Sequence, residues 1–596
     1  MKKRQPKFLP MSTREGKKLN IDQFDIILVS GDAYVDHPSF STAVVGRVLW
    51  EAGFSVGVIA QPDWKAKEDF LSLGSPRLFF AVCPGNCDSL VNNYTAAKKR
   101  RSEDLYSPGG IPKRPDRAAI VYSDKIHALF PEVPLVLGGI EASLRRFAHY
   151  DYWSDTVRHA ILADAPADLL VYGMGEQQVT EIARRISSGE SPGDLTDIPG
   201  TVYRVPPSEY DGISRFATIE IPSYSEVWND RVMYARAFAM HFLEQNPYVG
   251  KAVVQRHPKT VIIQNPPALP LPTRELDAVY ELPYRREAHP AYTLPVQALE
   301  TVRFSLTSHR GCFGGCSFCA LTHHQGRIIQ NRSIESLERE AARIAAMPGF
   351  RGVITDVGGP TANMFGMECS RWARAGPCLD RSCTECPTLK ISHQRQLELL
   401  TRLRRVPGVR HVFIGSGIRY DLLIKDPEKP LSTLCEFHVS GHLKVAPEHI
   451  SPHVTGLMGK PGREVFEKFL EEFENCQESR DRRQYILPYF MSGHPGCTIN
   501  DMVDLAEFIH TMHLYTEQVQ DFTPTPMTVS TCMYYTGLNP FTLEPVHVPK
   551  GREKRIQRAL LQYRDRKGQH LVREGILAAG RGDLLGNGKR CLLRRE

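Results

Sequence analysis

The chain has 596 residues, of which 42% are hydrophobic and 24% are charged, and its formal net charge is +7. This length exceeds what one hydrophobic core usually organises, so we expect two to four domains, and the composition excludes an intrinsically disordered protein. A net charge this small for the length does not by itself indicate binding to nucleic acid or to a membrane.

The chain shows neither a membrane span nor a secretory signal. No apolar run is long enough to cross a bilayer, and the basic start MKKRQPKFLP leads into polar residues. We therefore expect a cytoplasmic protein with no membrane partner, in a compartment where thiols stay reduced. The 14 cysteines, seven of them between Cys312 and Cys386, then indicate metal or cluster ligands more than disulfides.

A Rossmann-like α/β domain is predicted over 21–205, after a polar tail over 1–20. Apolar runs alternate with helical patterns there, which is typical of a parallel sheet. The predicted strands are FDIILVSGD, SVGVIAQ, LFFAV, VPLVLGG and ADLLVYG, and a helix is expected around 43–52. Glycines end two of these strands, at Gly138–Gly139 and from Gly173 to Glu176; they mark either a ligand-binding edge or simply tight turns.

Three further regions complete the predicted organisation. Prolines accumulate over 206–298, which indicates a connecting segment packed over the domains. A second α/β run over 299–540 contains the candidate strands RFSLTS, GVITDVGG, HVFIGSG, HLKVAP and YILPYF, and predicts a partial or full parallel β/α barrel. The extension over 541–596 is basic, with 14 lysines and arginines against five acidic residues from Pro549 onward; this predicts a solvated face or contact with RNA.

The strongest motif is the glycine-rich loop SLTSHRGCFGGCSFCAL, which directly follows a predicted strand. Its Cys312, Cys316 and Cys319 have C-x3-C-x2-C spacing, so one short loop can wrap around a cubane and bind three of its irons. With no fourth cysteine nearby, one iron is left open to a small-molecule ligand. The alternatives are a zinc site or three reduced thiols, although zinc usually takes four ligands in paired knuckles.

This cysteine spacing resembles that of the radical S-adenosylmethionine (SAM) superfamily. In that superfamily SAM binds the open iron of a 4Fe–4S cluster and is cleaved reductively to a 5′-deoxyadenosyl radical. The resemblance implies that Phe318 packs near the adenine, and that Gly358 and Gly359 belong to a Gly-Gly-Glu motif that receives the SAM amino group. Because Pro360 stands in place of the glutamate, we expect backbone carbonyls or another side chain to take that group.

Two later strand ends supply more candidates for the SAM site. Ser416 and Arg419 in HVFIGSGIRYD are candidates for contacts to the SAM ribose and carboxylate. The stretch HLKVAPEH resembles the segment that contacts ribose and substrate in methylthiotransferase-like members, which makes Lys444 and Glu448 candidates. The alternative for each pair is local structure, either a Ser-Gly turn or a surface Lys–Glu pair.

A second cysteine group lies in MECSRWARAGPCLDRSCTECP. Its members are Cys369, Cys378, Cys383 and Cys386. Four cysteines this close together, ending in C-x2-C, predict a second metal site that holds zinc or an auxiliary Fe–S cluster. The spacing does not distinguish the two.

Long stretches resemble the YgiQ-type radical SAM proteins, a family of uncharacterised function. They include GNCDSLVNNYTAAKKRRSEDLYSPGG, PLVLGGIEASLRRFAHYDYW and DFTPTPMTVSTCMYYTGLNP. The family implies an N-terminal domain like the cobalamin-binding Rossmann fold, then a radical SAM barrel and a short extension. Cobalamin domains that ligate cobalt through histidine carry Asp-x-His-x-x-Gly, whereas Asp36 and His37 are adjacent here. We expect no histidine ligation, and cobalamin binding itself stays open.

The sequence therefore predicts a radical SAM enzyme that cleaves SAM at a 4Fe–4S cluster and abstracts hydrogen from an unidentified substrate. Such an enzyme needs a reductant, for which a flavodoxin or a ferredoxin-like protein is expected. A tRNA-modifying methylthiotransferase-like enzyme is the first alternative. A non-catalytic zinc protein that binds nucleic acid is the second. No catalytic side chain is predicted, because barrels of this kind host many chemistries.

Overall fold

The computed structural model describes residues 5–210, 212, 214–380, 382–478, 480, 482–514 and 519–594. The strands of the first half are β1 Ile26–Ser30, β2 Val35–Asp36, β3 Val56–Ala60, β4 Phe79–Cys83, β5 Leu135–Leu137, β6 His149–Asp151, β7 Thr156–Arg158, β8 Leu169–Val171, β9 Thr201–Val205, β10 Thr218–Glu220, β11 Ala252–Arg256, β12 Val261–Gln264 and β13 Glu287–Ala288. Its helices are α1 Thr13–Lys18, α2 Ser41–Glu51, α3 Glu68–Leu71, α4 Ser89–Asn93, α5 Ala118–Leu129, α6 Gly139–Ser143, α7 Ile161–Asp164, α8 Glu176–Ser187, α9 Tyr224–Asn229, α10 Arg231–Leu243, α11 Thr273–Tyr280 and α12 Gln297–Val302.

The second half begins with the strand that precedes the cysteine motif. Its strands are β14 Ser305–Thr307, β15 His309–Arg310, β16 Gln330–Asn331, β17 Val353–Ile354, β18 Asp356–Gly358, β19 Glu368–Cys369, β20 Leu389–Lys390, β21 His411–Val412, β22 His442–Glu448, β23 Tyr485–Ser492 and β24 Val519–Asp521. Its helices are α13 Leu321–Gln325, α14 Ile334–Ala345, α15 Trp372–Ala375, α16 Gln394–Arg404, α17 Tyr420–Lys425, α18 Leu431–His438, α19 Pro452–Met458, α20 Arg463–Gln477, α21 Ile499–Thr511, α22 Val529–Thr536, α23 Gly551–Leu561 and α24 Gln569–Ala578.

One nine-stranded sheet organises the first half, in the order β10-β11-β12-β9-β8-β5-β4-β1-β3. Within this sheet the neighbouring strands β3, β1, β4, β5 and β8 pair in parallel. Ile26 of β1 lies beside Val56 of β3 and Phe79 of β4. All five residues of β1 are buried, which explains its continuous apolar sequence, because helices cover both faces of such a sheet. The α/β fold class is thereby confirmed.

The segment over 206–298, expected to be a connector, adds strands to this sheet. The strands β10, β11 and β12 all lie within it, and β12 pairs antiparallel with β9, which also runs antiparallel to β8. The strand β13 pairs with β2 near the start of the chain. This segment therefore extends the first half, and the domain bounds derived from sequence stay a prediction.

The barrel strands of the second half pair in parallel in three groups. The strand β14 pairs with β18, β17 pairs with β21, and β22, β23 and β24 follow in parallel order. A parallel bridge from Ile418 to Val445 links the segment after β21 to β22. The helices α14, α16, α18, α20 and α21 alternate with these strands, as in a β/α barrel.

The two halves share a core, and the C-terminal helices cover one side of the barrel. One apolar cluster runs from Leu144 and Phe147 of the first half through the barrel to Leu593. The helix α23 contacts α21 and the barrel strands β23 and β24. No helix in the described part of the chain combines the length and apolar character needed to cross a bilayer.

Candidate functional site

The three cysteines of the strongest motif lie in residues 311–320, here called the cysteine loop, which starts directly after β15. Gly311 has φ +86°, and a Cβ there would lie 2.1 Å from the carbonyl oxygen of Ile328, so only glycine fits this turn. The backbone N–H of Cys312 donates to Gly326 and that of Cys319 to Cys316, at 3.1 Å each. The loop is thereby fixed at both ends.

The thiols of the cysteine loop are free and half-buried. Burial raises the pKa of Cys312, and raises that of Cys319 to about 12, so burial disfavours their thiolate forms. In the described part of the chain, no three His, Cys, Asp or Glu side chains form a group that could hold one metal ion. Three thiols on one short loop match three corners of a cubane cluster.

Arg419 lies against the cysteine loop. Its Nη1 is 3.7 Å from Sγ of Cys316, and a Cβ on Gly314 would be 3.2 Å from the same nitrogen. Its Nε and Nη2 donate to the carboxylate of Asp421, at 2.8 and 2.7 Å. This buried pair presents one guanidinium edge to the thiols, so the residue expected to meet the SAM carboxylate also places positive charge beside the cluster position.

Gly358 ends β18 and Gly359 follows it, close to β15 at the start of the barrel. A Cβ on Gly359 would lie 2.6 Å from the carbonyl oxygen of His309, which makes glycine necessary there. The adjacent Asp356 accepts hydrogen bonds from the N–H of Ser416 at 3.0 Å and from the Ser416 hydroxyl. Ser416 is thus fixed beside Gly358. Sequence reasoning missed Asp356, although a carboxylate two positions before Gly-Gly at a strand end was a visible signal.

Glu448 ends β22 in a left-handed conformation, φ +65°, with its side chain buried. The Nζ of Lys460 is 3.7 Å from Oε1, whereas Oε2 has no hydrogen-bond partner in the described part of the chain. Burial raises the pKa of Glu448, and Lys460 opposes this effect. The same Nζ is 5.7 Å from the ring centre of Phe318, so Glu448 lies near the cysteine loop. Lys444 is half-buried in the same strand, and its carbonyl accepts from the N–H of Ile418 at 3.1 Å.

A cavity of about 490 Å³ lies between the two halves. The first half contributes residues at the carboxyl ends of β1, β4, β5 and β8, including Cys83 and Gly138–Gly139. The second half contributes β14, β15, β18 and α13, together with Pro360 and Ser416. The carboxyl ends of parallel strands are where such sheets bind ligands. Of the candidate SAM residues, Gly358, Gly359 and Ser416 line this cavity and face the glycine-bearing edge of the first sheet. The lining does not include the three cysteines of the cysteine loop, Phe318, Arg419, Lys444 or Glu448.

Buried polar contacts hold the walls of this cavity together. Arg310 of β15 forms an ion pair with Glu176 of α8 at 2.7 Å, with both side chains at most 5% exposed. Arg310 also donates from Nε to the hydroxyl of Tyr280 at 3.1 Å. The hydroxyl of Ser143 lies 3.2 Å from Nδ1 of His324 in α13, directly after the cysteine loop. These contacts fix the position of the cysteine loop relative to the first half. No local sequence pattern predicts them.

His37 is set apart from the cavity. Its Nε2 is 2.8 Å from Nη1 of Arg286, and its Nδ1 accepts from the N–H of Ser39 at 3.0 Å. Asp36 next to it is occupied by Arg47, and both of these side chains are fully buried. With its ring held by these neighbours and outside the cavity lining, His37 does not fit the role of a cobalt ligand. This agrees with the expectation drawn from the motif.

The second cysteine group lies beside the cysteine loop. Cys369 and Cys383 belong to an apolar cluster that also contains Phe313 of that loop. Burial raises the pKa of the Cys383 thiol to about 11, and the other three thiols of the group are close enough to add to this effect. The four cysteines are thereby placed in one region, together with Arg327, which sequence reasoning did not single out.

Several basic residues of the C-terminal extension form ion pairs. Arg552 pairs with Glu574 at 2.5 Å, while Arg581 and Arg590 both pair with Glu507 of α21. The contacts with Glu507 attach the extension to the barrel, and all three pairs leave less free positive charge for a polyanion. RNA binding has no support here.

The fold and the cysteine loop define a class of protein, the radical SAM superfamily. Residues 8–305 match the family described as Radical SAM N-terminal, residues 306–509 match the Radical SAM superfamily, and residues 517–595 match a domain of unknown function, DUF3362. The protein is therefore a radical SAM superfamily enzyme, and this membership implies a 4Fe–4S cluster and SAM.

The particular family follows from curated relatives. The chain is 56% identical to a UPF0313 protein of Methanosarcina acetivorans, over 99% of this chain and 83% of the relative. It is 49% identical to a UPF0313 protein of Clostridium botulinum (strain Okra / Type B1), over 98% and 92%. It belongs to the UPF0313, or YgiQ-type, family of radical SAM proteins.

Solved structures give more distant likenesses. The radical SAM methyltransferase TsrM from Kitasatospora setae, with cobalamin and a [4Fe-4S] cluster bound, is 17% identical with a TM-score of 0.46, over 85% of this chain and 77% of that one. The cobalamin-dependent SAM radical enzyme OxsB, with aqua-cobalamin bound, is 10% identical with a TM-score of 0.45, over 87% and 56%.

Proposed function

We propose that this enzyme cleaves SAM reductively beside Cys312, Cys316 and Cys319, and abstracts hydrogen from a substrate held in the cavity between the two halves. The observation that carries the proposal is the position of the cysteine loop: three free thiols precede α13, which itself lines the cavity. When bound, a 4Fe–4S cluster supplies the one-electron chemistry that cleaves SAM. The protein supplies binding, orientation and exclusion of water.

The residues of the barrel edge divide these tasks. Arg419 places a buried positive charge beside the thiolates, which favours their ionised form. The backbone from Gly358 to Pro360 offers carbonyl groups to the SAM amino group in place of the missing glutamate. Among the described residues, one buried carboxylate oxygen of Glu448 has no hydrogen-bond partner, which suits it to accept a hydrogen bond from bound SAM.

Three more candidates keep the roles expected from the sequence. Phe318 offers an apolar ring beside the adenine. Ser416 is fixed by Asp356 at the cavity edge, where its backbone and hydroxyl face the ribose position. Lys444, in the strand β22 that ends at Glu448, is proposed to contact the substrate. Each role remains part of the proposal.

The cavity wall suits a largely apolar ligand. Val29, Leu137 and Val171 line it from the first sheet, and Leu306 and Leu321 line it from the barrel. A largely apolar wall disfavours water beside a reactive organic radical, and so helps to protect it from side reactions. The substrate class favoured by this wall is a largely apolar molecule with few charges.

The same cavity is the candidate place for a corrinoid, since it lies at the carboxyl edge of the Rossmann-like sheet. Because His37 is held outside it, a corrinoid there would bind without His37 as a ligand; the histidines in the cavity lining are His309 and His324. Titration of the wild-type chain and of His37→Ala with hydroxocobalamin, followed by absorbance, tests this prediction. A cobalt spectrum that changes on the substitution, or no retention after gel filtration, contradicts it.

The decisive experiment is anaerobic reconstitution with iron and sulfide, reduction by dithionite, and assay of 5′-deoxyadenosine from SAM. We expect product from the wild-type chain and none from Cys316→Ala. Cys476→Ala, outside both cysteine groups, serves as the matched control and should keep activity. Equal product from wild type and Cys316→Ala would refute the proposal. Replacing dithionite by flavodoxin or ferredoxin then identifies the protein reductant.

A further inference from the structure

The second cysteine group is tied together by local backbone structure. The short strands β19 and β20 pair with Cys369 beside Leu389, which brings Cys369 next to the turn that carries the C-x2-C pair. In that turn the N–H of Cys386 donates to the carbonyl of Cys383 at 3.1 Å. The hydroxyl of Thr388 lies 3.5 Å from Sγ of Cys369 and 3.1 Å from Sγ of Cys386. Two of the four thiols thus converge on one hydroxyl.

Arg327 connects this group to the cysteine loop. Its Nη1 donates to the carbonyl of Cys378 at 3.0 Å, and its Nη2 would lie 3.3 Å from a Cβ on Gly315. One guanidinium is therefore placed between the two sets of cysteines, where its positive charge can stabilise thiolates of either set.

The segment from Cys369 to Cys386 has little else to hold it. Its one helix in the described residues is the four-residue α15, and Trp372 is the large apolar side chain that it buries. Neighbouring elements fix it at its edges: Asn246 donates to the carbonyl of Ala375 at 2.8 Å, and Lys425 to that of Thr384 at 2.8 Å. A loop-rich segment with so small a core usually needs a covalent or metal staple.

We propose that Cys369, Cys378, Cys383 and Cys386 bind a second iron–sulfur cluster. Four thiolates on a short segment match the ligand set of such a cluster and leave no iron open, so SAM does not bind there. Zinc is the competing occupant. Structural zinc sites usually pair their thiolates at spacings of about two to four residues, whereas eight residues separate Cys369 from Cys378. This irregular spacing, together with the position beside the cysteine loop, favours an iron–sulfur cluster.

The site does not depend on the proposed reaction, and metal analysis tests it without an activity assay. The full chain is produced and reconstituted anaerobically, and iron, acid-labile sulfide and zinc are measured per chain. Two 4Fe–4S clusters give about eight irons per chain, and one gives about four. The variant with Cys312, Cys316 and Cys319 all replaced by alanine removes the SAM-binding cluster and should keep about half of the wild-type iron.

The complementary variant replaces Cys383 and Cys386 by serine. In the wild-type background it should also lose about half of the iron, and in the triple-alanine background it should abolish the rest. Cys476→Ser, on α20, is the control and should keep all of it. About one zinc with no iron in the triple-alanine variant would overturn the proposal, as would wild-type iron of about four per chain. Because the wild-type iron count requires no substitution, it tests the proposal even if a variant misfolds.

Discussion

The ion pair between Glu176 and Arg310 joins the two walls of the cavity, and Glu176→Gln tests its contribution to stability. The substitution keeps the shape of the side chain and removes its charge, which leaves Arg310 buried without a counter-ion. Burial alone lowers the pKa of Arg310, yet Glu176 and Tyr280 hold it above its usual value, so the folded protein keeps this arginine charged. Removing one partner of a buried pair typically costs about 3–5 kcal/mol.

The structure places the expected loss at the lower end of that range. Arg310 keeps its hydrogen bond to the Tyr280 hydroxyl and its position 5.1 Å from the centre of that ring, which retains about 1 kcal/mol. We therefore expect a loss of about 3 kcal/mol. With a urea dependence of about 3 kcal/mol per molar, this lowers the midpoint of the transition that separates the halves by about 1 M.

Urea unfolding followed by tryptophan fluorescence and circular dichroism measures this shift. The control is the double variant Glu176→Met with Arg310→Met, which removes both charges and should recover most of the loss, since replacing a whole buried pair by apolar side chains is often neutral. An unchanged midpoint in Glu176→Gln refutes the reasoning. So does a double variant that is less stable than the single one.

Three more predictions concern the site and its surroundings. Gly359→Ala puts a Cβ 2.6 Å from the carbonyl of His309 and should lower the thermal midpoint and the iron content, whereas Gly456→Ala, which meets nothing within 4 Å, should not. Arg419→Met removes positive charge from the cysteine loop, so the reduction potential of the bound cluster should become more negative in a redox titration followed by EPR; an unchanged potential contradicts this. Burial lowers the pKa of His449 to about 4, so the unfolded chain binds a proton that the folded chain does not between that value and about 6.5. Stability should therefore fall as pH falls through this window, and His449→Gln should flatten the slope.

The buried strands could be predicted from sequence because burial on both faces leaves a continuous apolar run. The run around β1 and the glycine-ended runs of β5 and β8 all lie in the parallel part of one sheet. The strands β11 and β12 were missed, because a proline-rich neighbourhood suggested a connector and because β9, the partner of β12, lies about sixty residues earlier in the chain. Pairing over such a distance has no local pattern.

The sequence predicts the candidate cluster ligands but not the residues that surround them. Three cysteines on one loop carry their spacing in the sequence, whereas the contact of Arg419 with Cys316 joins residues about a hundred positions apart and depends on how the barrel folds. The contact between Ser143 and His324 depends in turn on how the two halves meet. Such partners are fixed by tertiary packing, which side-chain type alone does not encode.

The divided wall of the cavity has a consequence for how the enzyme is made. Residues from β1 to β8 are synthesised well before the cysteine loop, and until the barrel docks they expose the apolar edge that later encloses the chamber. Neither half alone forms the whole wall of the cavity, so separately expressed fragments should aggregate through their exposed apolar surfaces and should form the complete cavity only when they reassociate. The cavity is therefore completed late in biogenesis, after the ribosome has synthesised both of its walls.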